Sequence, residues 1–309
     1  MVDWAERRVL VTGATGFIGR RLVQRLAQTG AQIYAGVRSA DRMGFATHHS
    51  PSVIHQLIFD LRDAGAVQAA IAETKPQVVV HLAAVRVTDS GVDPTLALAA
   101  NTGGTLHLLE ALRGQDVRRV VLVGTCYEYG AREAAEGLDP SNVYAASKVA
   151  AWAFGRAYWR VHGLPVVTVR PFQVYGPGQP DRALISTAIR AALAGEDFPM
   201  TPGAQERDFI YVDDVVEGML TAAITPGIDG ESLDLGTGQI HTIYQVVERI
   251  WAMTGARGHI LAGALPYRPG EVMRMIADAG RTARLTGWRA TIPLKEGLSR
   301  TLQAISLST

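Results

Sequence analysis

Through the first half of the chain, short apolar runs alternate with stretches whose apolar positions recur at helical spacing. Residues 8–12, 32–37, 57–61, 78–84, 119–124 and 166–169 are runs dominated by Val, Ile, Leu and Ala, the pattern of strands buried on both faces. Between them, residues 20–29 set Leu22, Val23 and Leu26 on one helical face and stop at Gly30, and 63–73 and 93–112 read as further helices. This alternation predicts an α/β protein built on a doubly wound parallel sheet. Residues 171–180 are rich in Pro and Gly and suggest a crossing into a second lobe. The predicted division is therefore a sheet domain over 1–175 and a smaller C-terminal lobe over 176–309, with about 207–240 returning to the first domain. In that lobe 182–194 reads as a helix ending at Gly195, 233–236 as a last strand and 243–253 as a helix. Asp213 and Asp214 stand before an apolar helical run, which fits a helix start better than a catalytic carboxylate pair.

The first strand runs directly into Gly13-Ala14-Thr15-Gly16-Phe17-Ile18-Gly19 and then into a helix. Strand, glycine loop, helix is the context in which glycines permit a tight turn and close approach of a pyrophosphate to the helix N-terminus, as in Rossmann dinucleotide sites. The spacing is G-x-x-G-x-x-G rather than G-x-G-x-x-G, and an ordinary glycine-rich βα turn is the competing reading. The second strand ends in Val37 and Arg38, with Arg42 close behind, where an NAD site commonly carries an acidic residue for the ribose. An Arg there suits a 2′-phosphate, so NADP(H) is favoured over NAD(H). A solvated Arg38, with Asp41 or Asp60 serving the adenosine of NAD, is the alternative.

Tyr144 and Lys148 lie four residues apart in Tyr144-Ala145-Ala146-Ser147-Lys148, which puts them one turn apart on one helix face. A phenol titrates near pH ~10, and an adjacent ammonium favours the phenolate, so it can exchange a proton with a substrate oxygen at neutral pH. His81 reads as a satisfied core histidine. The adjacent His48 and His49 have no third ligand in view, so no metal site is expected. Composition narrows the partners. The 309 residues are 48% hydrophobic with net charge +1, and Lys and Arg are scattered, which suggests neither nucleic acid nor membrane. The single Cys126 cannot form an internal disulfide and fits a reducing compartment, and residues 1–8 hold no signal-peptide core, so a soluble cytoplasmic protein is expected.

GATGFIG after the first strand, HLAA at the fourth, Thr125 just past the fifth, YAASK, RPFQVYGPG from Arg170, RDFIYVDD from Arg207 and a late Arg268-Pro269-Gly270 occur in one order. Together they resemble the extended short-chain dehydrogenase/reductase family, and within it the nucleotide-sugar epimerases, dehydratases and 4-ketoreductases, from about residue 9 to at least 270. The resemblance implies that Thr125 bonds the reacting oxygen, Tyr144 is the acid/base, and Lys148 holds the nicotinamide ribose. It implies that Gly13, Gly16 and Gly19 wrap the pyrophosphate, with Thr15, Phe17, Ile18 and Pro171 among the cofactor contacts. Asp60 and Leu61 would border the adenine, Ala83 and Ala84 the ribose, and Asn101 the nicotinamide side. Arg207 and Arg268 would grip the substrate diphosphate, since guanidinium suits phosphate. The competing reading makes both of them surface or ion-paired arginines beside Asp208 and Glu271. A homodimer through helices like 96–112 and 144–160 is implied by the same analogy.

Three departures bear on the chemistry, one being that only eighteen residues separate Thr125 from Tyr144, fewer than is usual in the epimerases, which trims the loop near the sugar. Dehydratases of the family generally follow the Thr with Asp-Glu, whereas Cys126-Tyr127 stand here, and Glu128 lies too far along to substitute by position. Cys126 reads as a small residue lining the pocket rather than a nucleophile. Gln173 stands where many relatives carry Asn, as a substrate contact. The expected activity is therefore NAD(P)-dependent oxidoreduction at C4 of a nucleotide-diphosphate sugar, foremost reduction of a 4-keto(-6-deoxy) hexose. An NAD-dependent 4-epimerase, a reductase of small carbonyl compounds, and a non-catalytic dinucleotide-binding regulator are the alternatives.

Overall fold

The computed structural model describes residues 4–39, 53–85, 92–132 and 137–307; Arg42, Asp41, His48 and His49 lie outside them. In chain order the first half comprises β1 (Arg8–Thr12), α1 (Phe17–Leu26), β2 (Gln32–Val37), β3 (Val53–Ile58), α2 (Ala64–Thr74), β4 (Val78–His81), α3 (Pro94–Ala97), a π-turn (Leu98–Gly103), α4 (Gly104–Leu112), β5 (Arg119–Val123), a 3₁₀ turn (Cys126–Glu128), α5 (Val143–His162) and β6 (Val166–Pro171). The second half comprises β7 (Gln173–Tyr175), α6 (Leu184–Ala194), β8 (Phe198–Met200), β9 (Glu206–Arg207), β10 (Phe209–Tyr211), α7 (Val212–Ile224), β11 (Ser232–Leu235), β12 (His241–Thr242), α8 (Ile243–Thr254), β13 (Ile260–Ala262), β14 (Arg274–Met275), α9 (Ala279–Thr286) and α10 (Leu294–Ser306).

Seven strands form one parallel sheet in the order β11-β6-β5-β4-β1-β2-β3. Its central strands are apolar without alternation because both faces are covered: Val78, Val79, Val80, Val120 and Val121 are wholly buried. One face packs Val9, Val11 and Val80 with Leu22 and Val23 of α1 and Val215 and Met219 of α7. The other packs Leu10, Val79 and Val120 with Ile71 of α2 and Leu108 and Leu109 of α4. A third core joins Ile185 and Ile189 of α6, Val247 and Ile250 of α8, Leu298 of α10 and the rings of Tyr175 and Tyr211. The chain order reverses between β1 and β4, so their C-terminal ends open the crevice where open α/β sheets bind ligands.

Two elements differ from the sequence expectation. The third strand runs over Val53–Ile58 rather than 57–61. It is the sheet edge, with Val53 and Ile58 exposed, so it lacks the apolar run that marks the central strands. The chain leaves the ladder at Asp60, whose carboxylate accepts from Arg62 N–H and whose carbonyl accepts from Asp63 N–H. The helix expected over 93–112 is interrupted by the π-turn Leu98–Gly103, and wide turns of this kind are frequent at functional sites. The expected helix start at Asp213-Asp214 is observed. Asp213 pairs with Arg21, and Asp214 accepts from Thr291 and Ile292 N–H.

Candidate active site

A cleft of about 1670 Å³ runs along the C-terminal edge of the sheet, from the loop after β1 to residues of α6, β8 and β9. At one end it is bordered by Gly13, Thr15, Gly16, Phe17, Ile18 and Gly19. Gly13 holds φ +70°, and a Cβ there would sit 2.7 Å from Ala83 N. A side chain on Gly19 would strike the Gly13 carbonyl. The loop and the β4 end thus meet backbone to backbone, which only glycine allows. The first turn of α1 has no side-chain cap and no acidic residue, so its N–H groups and dipole face the cleft unopposed. These features fit a pyrophosphate.

Further along the same end lie Val37, Arg38, Asp60, Leu61, Arg62, Ala83 and Ala84. The Arg62 guanidinium bonds Asp60 at 2.6 Å and holds its carboxyl below the usual range, with Arg38 adding to the effect. Arg38 is exposed at the rim. Among the described residues, this end carries the Arg38 and Arg62 guanidinium groups against the Asp60 carboxylate.

Thr125 and Tyr144 both border the middle of the cleft. Thr125 leaves β5 as the N-cap of the 3₁₀ turn, accepting from Tyr127 N–H, while its own N–H donates to Glu128 Oε1 at 2.8 Å. Tyr144 lies in the first turn of α5, capped by Asn142, which accepts from Ala145 N–H at 2.9 Å. Lys148, one turn on, is buried beneath the cleft rather than lining it. Burial pushes its pKa down to about 8, with the Glu128 carboxylate opposing the shift.

His81 is a core histidine, as expected. Thr105 Oγ1 donates to the Asn101 carbonyl and so accepts from His81 Nε2, while Thr12 Oγ1 accepts from Ala83 N–H and gives its proton to His81 Nδ1. Burial, with the Lys148 charge behind it, lowers the ring's pKa to about 3 and keeps it neutral.

Besides Lys148, expected to hold the nicotinamide ribose but buried beneath the cleft, three expected positions are placed differently. Asn101 is wholly buried and does not border the cleft. Its amide accepts from Val85 N–H at 2.7 Å and donates to Ser147 Oγ at 2.9 Å, tying the segment after β4 to α5. Pro171 closes β6 inside the sheet and stands off the cleft. Cys126 sits under the cleft with Phe172 and Met275, and burial pushes its thiol up to about 12, so it is neither a lining group nor a nucleophile.

The far end of the cleft is bordered by Tyr127, Gln173, Arg207, Arg268 and Glu271. Gln173 Nε2 donates to Tyr127 Oη at 3.2 Å. Arg207 is nearly buried and paired with Glu271 at 2.7 Å, as the ion-pair reading had it, and yet it still borders the cleft. Arg268 is exposed at the mouth. Asp208 does not pair with Arg207. It accepts from Thr237 and Gly238 N–H and fixes the loop after β11.

Two site neighbours escaped the sequence reading. Glu128, set aside on position alone, folds its carboxylate back to Thr125, and Arg170 meets it from β6, 42 residues away, at 2.7 Å. No spacing marks such a pair. Among the described residues, no three His, Cys, Asp or Glu side chains converge as a metal site, and no helix is long and apolar enough to cross a membrane.

The sequence model of the NAD dependent epimerase/dehydratase family matches residues 9–236. A UDP-glucose 4-epimerase from Mycolicibacterium smegmatis is 32% identical over 311 residues, covering 96% of this chain and 97% of its own. A dTDP-glucose 4,6-dehydratase from Neisseria gonorrhoeae is 29% identical over 338 residues, covering 96% and 95%. Among solved structures, the Thermus thermophilus UDP-glucose 4-epimerase in complex with NAD has a TM-score of 0.86 and 28% identity, covering 98% of this chain and all of that one.

Proposed function

Because the chain belongs to the NAD-dependent epimerase/dehydratase family, we propose that it performs hydride chemistry at C4 of a nucleotide-diphosphate hexose, with reduction of a 4-keto(-6-deoxy) sugar by NADPH as the net reaction. One observation carries the reading. A single cleft joins the glycine loop, the Thr125 and Tyr144 pair, and the arginines at its far end. In this reading residues 1–175 hold the cofactor and 176–309 cover the sugar nucleotide.

The glycine loop and the N-terminus of α1 hold the pyrophosphate, Leu61 borders the adenine, and Arg38 takes the 2′-phosphate. The nicotinamide, when bound, supplies the hydride. Tyr144 gives its proton to the C4 oxygen as negative charge develops there, and the Thr125 hydroxyl donates to the same oxygen. The Lys148 ammonium, one turn from Tyr144 on α5, favours its ionised form once the proton has left. Arg207 and Arg268 take the diphosphate, with Glu271 giving way on Arg207, while Gln173 and Tyr127 border the sugar. Dehydration is disfavoured because Cys126 is sealed under the cleft and Tyr127 is no acid/base pair for it.

A second reading, an NAD-dependent 4-epimerase, is favoured by what relatives are: the Mycolicibacterium smegmatis protein is a UDP-glucose 4-epimerase, and the Thermus enzyme was solved with NAD. Identifying the cofactor released on denaturation, then titrating the purified protein with NADPH and NADH, separates the two. An exchangeable site preferring NADPH supports reduction, and tight co-purifying NAD sinks it in favour of epimerisation. Binding of neither dinucleotide removes both readings, and the dinucleotide-binding regulator with them. We also read the chain as a homodimer through α5. Val143, Phe154 and Val161 form an exposed apolar stripe at helical spacing on that helix, with Leu98 exposed on the π-turn that packs against it. A monomer mass in solution would refute that part.

A further inference from the structure

We propose that Glu128 is a positioning residue of this site: its carboxylate fixes the main chain at Thr125 and supplies the counter-charge to the Lys148 ammonium, while Arg170 makes a buried carboxylate tolerable there. The proposal rests on the functional reading above for its role in turnover, but its geometry stands alone.

Glu128 is wholly buried, and both its oxygens are committed. Oε1 accepts from Thr125 N–H at 2.8 Å, and Oε2 accepts from Arg170 Nε at 2.7 Å. Gly124, the residue before Thr125, lacks the Cβ that would collide with Oε1, so the carboxylate lies against the very end of β5. Gly124 and Lys148 border one small internal cavity together with His81 and Trp152. Arg170 is held over the rings of Tyr129 at 5.1 Å and Trp152 at 5.6 Å, and Trp152 is one turn beyond Lys148 on α5. Tyr129 Oη donates to Asp234 at 2.7 Å, which carries the unit on to β11. One buried assembly thus ties the strand end bearing Thr125 to the helix bearing Tyr144 and Lys148.

Among the described residues, the neutral His81 of β4 lines the same small cavity as Lys148, and the charge acting on the ammonium is the Glu128 carboxylate of the 3₁₀ turn, whose other oxygen is bonded to Arg170 of β6. Burial acts against the ammonium, and Glu128 is the group that favours it. Without that carboxylate, Lys148 would shed its proton within the working pH range and cease to steady a Tyr144 phenolate.

A plain N-terminal cap would need only an acceptor on Glu128, which glutamine also provides. Glu128→Gln therefore separates a cap from a charge. The chain has three lysines, and Lys75 and Lys295 are exposed, so ¹³C-lysine labelling gives three resonances, with Lys148 identified by its absence in Lys148→Met. Titrating the labelled apoprotein should place the Lys148 midpoint near 8 in the natural sequence. In Glu128→Gln it should fall by roughly one pH unit. Turnover measured across pH should lose its alkaline side over the same interval. If Glu128→Gln does not fold, Glu128→Met with Arg170→Met replaces the pair by apolar groups of similar length and permits the same titration. A folded variant whose Lys148 midpoint stays at the natural value overturns the proposal. The titration needs neither cofactor nor sugar, so failure of the functional reading would show separately, as absent dinucleotide binding.

Discussion

The two ends of the cleft are built by different kinds of contact. The glycine end is made of backbone. Seven consecutive residues from Gly13 to Gly19 turn against the end of β4 and open the N-terminus of α1, with the side chains of Arg38, Asp60 and Arg62 lying beyond this cradle. The arginine end is made of side chains brought together from far apart. Arg207 meets Glu271 across 64 residues and Tyr127 meets Gln173 across 46. A backbone cradle tolerates almost no added atom, because its shape is the site. A side-chain site has partners that can yield to a ligand, so it can be retuned without loss of the fold. Thr125 and Tyr144 sit at the joint between the two.

The largest effect is expected at that joint. Tyr144→Phe removes the proton donor and leaves the ring, so turnover should fall by roughly 10²–10⁴-fold. Dinucleotide affinity, measured by fluorescence titration, should stay within a factor of about two. A variant that kept near-natural turnover would move the acid/base elsewhere. Next comes the glycine end. Gly13→Val puts a β-branched residue at φ +70° with its Cβ against Ala83 N, so dinucleotide binding should weaken by roughly a hundredfold or more. Circular dichroism should still report the αβ fold, since the clash lies at the loop. Retained binding would mean that the cradle is not the pyrophosphate site.

At the arginine end, Arg207→Met should raise KM for the nucleotide sugar by roughly tenfold to fiftyfold, with a smaller change in kcat. Its dinucleotide affinity should not move, and this is the sharpest contrast with Gly13→Val. Equal losses of both ligands in both variants would erase the distinction between the ends.

The same contrast explains what the sequence could say. The central strands were legible because burial on both faces writes an unbroken apolar run, as at Val78, Val79 and Val80. The glycine loop was legible because its geometry is local. β3 was misplaced by four residues because an edge strand keeps exposed positions and carries no such run. The π-turn was invisible, since Asn101 is held there by Val85 and Ser147, neither of them a sequence neighbour. Resemblance put Arg207 at the cleft and the competing reading had it ion-paired, but its partner is Glu271, 64 residues away, rather than the adjacent Asp208. Glu128 was discounted by counting along the chain, whereas its carboxylate folds back on the turn to reach Thr125. Contacts that close over many residues leave no period to read.

The smallest effect tests the cost of placing a cation beneath the joint. In the folded chain Lys148 titrates near 8, against about 10.5 when unfolded. Between those values the unfolded chain binds a proton that the folded chain does not. Stability therefore rises with pH across that window, and below pH 8 the folded state carries the penalty of a buried ammonium. The tyrosines complicate the upper part of the window. Burial raises Tyr129 and Tyr175 above the ordinary phenol value, so above pH ~10 their ionisation favours unfolding. The comparison between variants cancels that contribution. Lys148→Met should raise stability at pH 7 by roughly 1–2 kcal/mol in urea unfolding, and its advantage should shrink as pH climbs from 8 to 10. The gain is held below the full burial penalty because Glu128 loses a counter-charge. A pH-independent gain would point to better packing of the methionine instead. A loss of stability at pH 7 would mean that the Glu128 attraction outweighs burial, and that the cation is a structural element of the joint before it is a catalytic one.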